Sequence, residues 1–360
     1  MNKKLTALTV LLLTAMLSAA CNSGSAVKQP NIEQPDDFAA NWTIDPIVIR
    51  FGHVGVEDTA DQLHYGATVF AQKIHELSDG AMRVEIFPSS QLGHTVEMIG
   101  MLQRGELHMA DIENASLTGF VPEALWADLP YIIQSYEHAE AVFDAKSDVS
   151  RWIRPLFADN GFRILGVYHS GFRHMMNSIR PITHPDDMHD MTMRVMASEV
   201  MLSAMNAFGA EAVVVPFGEQ LWEALTSGRV NGNEQPLNLV YSTRFFEIQN
   251  YLSLTGHFYN PRKYIFSEEL WHSLTPAQQL VVLDATEYTI KRMNAHHHAS
   301  QERLKQSISA EGMIINEVSE AGMRAFRERG ATVWPIVYEA IGGNEAQGKV
   351  ILDMIVSYAQ

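Results

Sequence analysis

Arg194 stands near the end of a short apolar run, MTMRVMAS (191–198), and Arg173 lies a little upstream of it. The planar guanidinium fork pairs with a carboxylate through two parallel hydrogen bonds, which a single ammonium cannot reproduce. After Arg194 the chain reads as helix, strand and helix, through MLSAMNAFGA and VVVPFGEQLWEALTSGRVNGNEQP to Pro236. Open α/β sheets bind ligands in crevices outside the carboxyl ends of their strands. An arginine placed there suits capture of a small organic anion.

Other candidate chemistry is weaker. Fifteen histidines are present, three of them consecutive at His296-His297-His298 inside a helical stretch. Consecutive helical residues point about 100 degrees apart, so the three cannot ligate one metal from a single face. Without an HExxH pair they read as solvated helix residues, and no metal ligand is assigned. His53 and His64 fall near the end of the first strand, where contact with a ligand is possible. No GxSxG elbow, Walker loop or GxGxxG fingerprint follows a strand. These absences argue against an enzyme, and no cofactor is implied.

The 360 residues are 46% hydrophobic and 19% charged, with a formal charge of −16. That size suits one large domain or two medium lobes. The acidic balance and the lack of any basic run beyond Lys3-Lys4 exclude a nucleic-acid partner, since phosphate binding needs a basic face. An anion site must therefore be a local basic pocket. The start of the chain is a targeting signal: a basic MNKK, an apolar run from Leu5 to Leu17, then Ser18-Ala19-Ala20 before Cys21. The run is too short to span a bilayer. A lone cysteine forms no intramolecular disulfide, and LSAAC resembles a bacterial lipoprotein signal in which Cys21 is lipidated. Ser18 occupies the place where leucine is usual, so an ordinary cleaved signal peptide is the alternative. Residues 22–45 are polar and without apolar period, as in a flexible tether.

The elements that position the arginines follow from periodicity. Strands are expected at 47–51, 82–87 and 107–112, separated by helices through Leu63 to Leu77 and near 93–104. Such alternation argues for α/β architecture with parallel sheet. Further strands are expected at 162–168, 173–177, 192–196 and 212–216, with helices at 137–157, 198–208 and 217–227. Thr275-Pro276-Ala277-Gln278 opens the longest helix with a capping box, uninterrupted until Gly312. A strand at 313–318 and two or three helices, the first opening at Ser319, complete the chain. The eighteen methionines, including Met175, Met176 and Met205, read as adaptable core filler.

Several segments in this order resemble the solute-binding proteins of tripartite ATP-independent periplasmic (TRAP) transporters, the DctP type. They are HELSDGAMRVEIFPSSQLG (75–93), RGELHMADI (104–112), LPYI (129–132), GFRHMMNSIRPITHPDDM (171–188), MTMRVMAS and FGAEAVVVPFGEQLWEALTSGRVNGNEQP (208–236). The resemblance covers about 47 to 340. It implies a two-lobed, periplasmic-binding-protein-like α/β fold that closes over a ligand, with the long helix bracing both lobes. The expected division is 46–170 plus 258–300 for lobe I and 171–257 plus 301–360 for lobe II, after a signal and anchor at 1–21. It further implies an extracytoplasmic, membrane-anchored monomer that hands a small carboxylate, a dicarboxylate or sugar acid, to a membrane permease.

By the same resemblance Arg194 forms the principal salt bridge to the ligand carboxylate and Arg173 assists. Glu113 aligns with a frequent polar contact and Phe217 with an aromatic wall position. The chain departs from the family at Val230-Asn231-Gly232-Asn233-Glu234-Gln235-Pro236, where Gln235 replaces the usual ligand-touching asparagine. Ala197 stands where sialic-acid-binding members carry asparagine, which argues against sialic acid. Readings from other classes are a metal-binding lipoprotein and a ligand-sensing partner of a signalling receptor.

Overall fold

The computed structural model describes residues 46–359. The leader, the tether and Cys21 lie outside the described residues. Among those described, no helix is long and apolar enough to cross a membrane.

One sheet of nine strands organises the molecule: β1 (Ile47–Gly52), β2 (Met82–Phe87), β3 (Met109–Glu113), β4 (Phe162–Asn177), β5 (Thr192–Val195), β6 (Glu211–Val214), β7 (Gly232–Gln235), β8 (Tyr251–Ser267) and β9 (Ile314–Glu317). Their order is β2-β1-β3-β8-β4-β7-β5-β6, with β9 on β8. β1 pairs in parallel with β2 and β3, and β5 in parallel with β6 and β7. The sheet is not parallel throughout, as alternation had suggested: β3–β8, β8–β4 and β4–β7 are antiparallel.

Register shows why this arrangement makes a site. Glu113, the last residue of β3, lies opposite Arg262 of β8, and Tyr168 of β4 faces the same Arg262. Gln235, the last residue of β7, lies opposite His174 of β4. Two antiparallel steps separate β3 from β4 and one more reaches β7, so the two parallel blocks run in opposite directions. Their carboxyl ends therefore meet at the middle of the long strands, near 169–173 of β4 and 258–262 of β8.

Two sequence expectations are corrected here, and one strand is added. The strands expected at 162–168 and 173–177 are one strand of 16 residues, bulged between His169 and Gly171 and between Arg173 and Met175. β8 had no sequence signal: YLSLTGHFYNPRKYIFS mixes polar, glycine and proline residues without alternation, yet nearly all of it is buried. A strand covered on both faces need not alternate. The helix expected at 137–157 is two, Tyr136–Phe143 and Asp148–Asp159, because Ser147 caps the second by accepting from Ser150 N.

The long helix, Pro276–Ala310, has 35 residues and opens with the expected capping box. Its Val282, Ala285 and Met293 join Phe51, Phe70, Met109 and Tyr264 in the core of the β1–β3 block. Its Ile308 joins Val230, Leu237 and Leu252 in a core beside β7. The helix thus packs into both blocks. Close packing on β4 requires Gly166, where a Cβ would come 2.0 Å from Ile290 Cδ1. Most described methionines are core residues, with Met175, Met176, Met193 and Met205 fully buried.

Candidate solute site

The predicted site residues converge at strand ends. His53 follows β1, Glu113 ends β3, Arg194 is next to last in β5 and Gln235 ends β7. No strand was expected directly after the helix at 217–227, yet Gly232–Gln235 is a buried strand. Phe217 follows the end of β6 by three residues, half-buried in the loop before the helix Glu219–Thr226, against the core that contains Leu221 and Val230.

The charges around the crevice can be tallied pair by pair. Arg173, 1% exposed, grips Glu234, 0% exposed, with Nε on Oε2 and Nη2 on Oε1 at 2.9 Å. Its Nη2 also donates to the Glu234 carbonyl at 2.6 Å and to Gln235 Oε1 at 3.2 Å. Arg262 donates to Asp111 at 2.7 Å and lies 3.4 Å from Glu113. Asp111 also accepts from Tyr168 at 2.6 Å. Glu113 further accepts from the Ser116 hydroxyl. Lys263 donates to Asn114 at 2.6 Å, and Asn114 to Asp128 at 2.7 Å. Each of these cations has an anion or a polar relay to one.

Arg194 does not. It is 2% exposed. Its Nε donates to the Val215 carbonyl at 2.7 Å, while Nη1 has no hydrogen-bond partner and no ion pair forms among the described residues. Burial pulls its pKa down to about 10, opposed by the fields of Glu234 and Glu113 and reinforced by Arg173. It stays protonated at neutral pH with its charge poorly answered, a costly state for a buried ion. Gln235 Nε2 is likewise buried without a partner. The site thus presents spare donors and one uncompensated positive charge, which is the chemistry of a carboxylate acceptor.

His53 is fully buried, and its Nε2 lies 3.3 Å from His64 Nδ1. Burial, then His64 and Arg262, lower its pKa to about 3, so it is neutral. Sequence reasoning missed Glu234, Asp111, Arg262 and Lys263 as members of this network. Nothing in their local pattern marks them, since pairing partners are distant in sequence. It also missed Gln62 and Asn238, which meet at 2.6 Å and tie the helix after β1 to the helix after β7. A cavity of about 20 Å³ behind Asn114 and Lys263, lined by Trp126, Phe143 and Phe157, has room for about one water and is no solute site.

The histidine run is also corrected. His297 is 2% exposed, with Nε2 2.8 Å from Tyr136 Oη, and His296 stacks on Tyr65. Only His298 is exposed, and it lies 3.8 Å from Glu140, which is itself 3.1 Å from His169 Nε2.

Comparison with known proteins gives the family. The chain is 30% identical to a solute-binding protein of Verminephrobacter eiseniae over 73% of its length and 78% of the relative's. It is 28% identical to the C4-dicarboxylate-binding periplasmic protein DctP of Rhodobacter capsulatus, over 80% of each. Among solved structures it superposes with TM-score 0.81 and 26% identity on the sugar acid binding protein of Advenella mimigardefordensis in complex with galactonate, covering 88% of this chain and 99% of that one. A TRAP periplasmic solute-binding protein of Sulfurospirillum deleyianum with bound succinate gives 0.78 and 27%, over 87% and 99%. These neighbours share its two-lobed α/β architecture. The family model for DctP, bacterial extracellular solute-binding protein, family 7, matches residues 51–340. The chain belongs to that family of TRAP solute-binding proteins, which bind a solute and are not enzymes.

Proposed function

We propose that the protein captures a small organic acid, a sugar acid or a C4 dicarboxylate, and delivers it to a TRAP permease. The observation that carries this reading is Arg194, buried with Nη1 unpartnered and paired to no carboxylate among the described residues. The ligand carboxylate supplies that missing anion. Gln235 Nε2 is the second donor, and the forked Arg173–Glu234 pair holds Gln235 in place through its amide oxygen. The relatives that bind dicarboxylates and galactonate support this ligand class. Lipidation of Cys21 would hold the protein at the membrane, extracytoplasmic and monomeric.

In this reading the lobes meet within β4 and β8, which run from one parallel block to the other. An open crevice leaves Arg194 hydrated. Closure removes that water and is favourable only when an anion replaces it, so the ligand shifts the population toward the closed state. The bond between Gln62 and Asn238 is then a latch across the two blocks.

A thermal-shift screen of sugar acids and C4 dicarboxylates tests the proposal. A ligand at about 100 times its Kd adds about 2.7 kcal/mol to apparent stability. At least one acid should raise Tm by several degrees, and its amide or alcohol analogue should not. A panel in which no carboxylate raises Tm overturns the reading.

A further inference from the structure

Three side chains that the carboxylate crevice does not use come together on its flank. Glu140 belongs to the helix Tyr136–Phe143, His169 to the middle of β4 and His298 to the long helix, and one ligand atom from each lies within 4.8 Å of the others. His169 Nε2 is 3.1 Å and His298 Nε2 3.8 Å from the same Glu140 oxygen. A tetrahedral Zn²⁺ with bonds of about 2.0–2.1 Å to N and O spreads its ligand atoms about 3.4 Å apart, between those two separations.

We propose that Glu140, His169 and His298 form a binding site for a divalent transition-metal ion of the Zn²⁺ class. Two imidazoles and one carboxylate match the softness of Zn²⁺ better than that of Mg²⁺ or Ca²⁺, which prefer all-oxygen shells. Three protein ligands leave a fourth position for water. Glu140 is 52% and His298 43% exposed, so the ion enters from solvent. The buried member, His169, is positioned from behind: its Nδ1 lies 2.5 Å from Tyr259 Oη, and its backbone N–H donates to Asn294 Oδ1 at 3.0 Å. Such a hydrogen bond on the far ring nitrogen sets the orientation and tautomer of a metal-bound histidine. Without metal, Nε2–H donates to Glu140 and Tyr259 donates to Nδ1. On binding, the ring changes tautomer: its one proton passes through solvent from Nε2 to Nδ1, Nε2 takes the ion, and Nδ1–H donates to the oxygen of the Tyr259 hydroxyl, which turns its own proton away. Burial favours the neutral imidazole that this requires. Tyr136 walls the site with its ring, 5.0 Å from that of His169 and 4.9 Å from that of His298. Glu137, three residues before Glu140, adds negative field at both histidines. The ion would join the helix Tyr136–Phe143, β4 and the long helix beside the bulge where the two blocks meet.

The test is titration of the full, untagged, chelator-stripped chain with Zn²⁺ alone, in competition with a chromogenic chelator. One equivalent should bind. His298→Ala and Glu140→Gln, both at exposed positions, should each weaken binding at least about tenfold, and Tyr259→Phe about tenfold through His169. His296→Ala, on the same helix but outside the cluster, should leave it unchanged. X-ray absorption of the bound ion should show two imidazoles. Absence of stoichiometric binding, or equal binding by His298→Ala and Glu140→Gln, overturns the proposal and marks any zinc uptake as adventitious.

Discussion

Arg194 and Arg173 have the same side chain and nearly the same burial, yet their surroundings assign them different work. Arg173 is forked onto Glu234 and its charge is answered within the protein. Among the described residues, Arg194 has only the Val215 carbonyl. Arg194→Ala is therefore expected to weaken acid binding by about 2 kcal/mol or more, the scale for losing one partner of a buried charged pair. Calorimetry on the ligand found by screening checks this, and unchanged affinity would remove Arg194 from the clamp. Glu234→Ala should instead act on stability, leaving Arg173 buried and unpaired at a cost of about 3–5 kcal/mol. Urea unfolding reads that loss, and a change under about 1 kcal/mol would show the fork to be dispensable. Arg194 was legible in the sequence because an arginine in an apolar strand is conspicuous. Glu234 was not, because its partner, on the neighbouring strand β4, lies 61 residues away in the chain.

Elements carry the next level of argument. β4 changes partners along its length, pairing with β8 throughout and with β7 only near its end, and it bulges where the blocks join. Gly171 stands at that bulge with φ +114, and a Cβ there would come 2.7 Å from His297 Cε1. Gly171→Ala should cost about 1–3 kcal/mol through strain in a region that disfavours side chains. Denaturant midpoints measure it, and a neutral result would mean that the bulge relaxes freely. Helices with caps were read closely from sequence: the long helix, Glu199–Phe208 ended by Gly209, and Glu320–Ala331 opened by Ser319. Caps are local chemistry. β8 was unreadable because its polar side chains are satisfied by distant partners, Arg262 by Asp111 and Lys263 by Asn114.

At the scale of the whole molecule, folding traps neutral histidines. His53 and His257 are fully buried. Burial lowers the His53 pKa to about 3 and that of His257 well below its ordinary value. A base with a depressed folded pKa adds stability that is complete above its unfolded value, about 6.5. That stability is lost as pH falls from there toward the folded value, because the unfolded chain binds the extra proton. Each group contributes at most about 1.4 kcal/mol per pH unit. Tm should therefore fall between pH 7 and pH 4, and His53→Asn should flatten the slope. A flat wild-type profile across that window would contradict the burial of both rings.

What the sequence by itself determined was local: helix starts and stops, the β-branched strands β1, β2, β5 and β6, and an arginine unusual enough to flag anion capture. Resemblance added the family, because many weak segments in one order are jointly specific. Only the tertiary structure decided which charges are already paired among the described residues, and it leaves Arg194 buried without an ion pair. It also made Gly232–Gln235 a buried strand, brought the carboxyl ends of opposed blocks together along β4 and β8, and set His169 and His298 beside Glu140. These are long-range pairings. Periodicity along the chain records which face of an element is buried, but not what it is buried against.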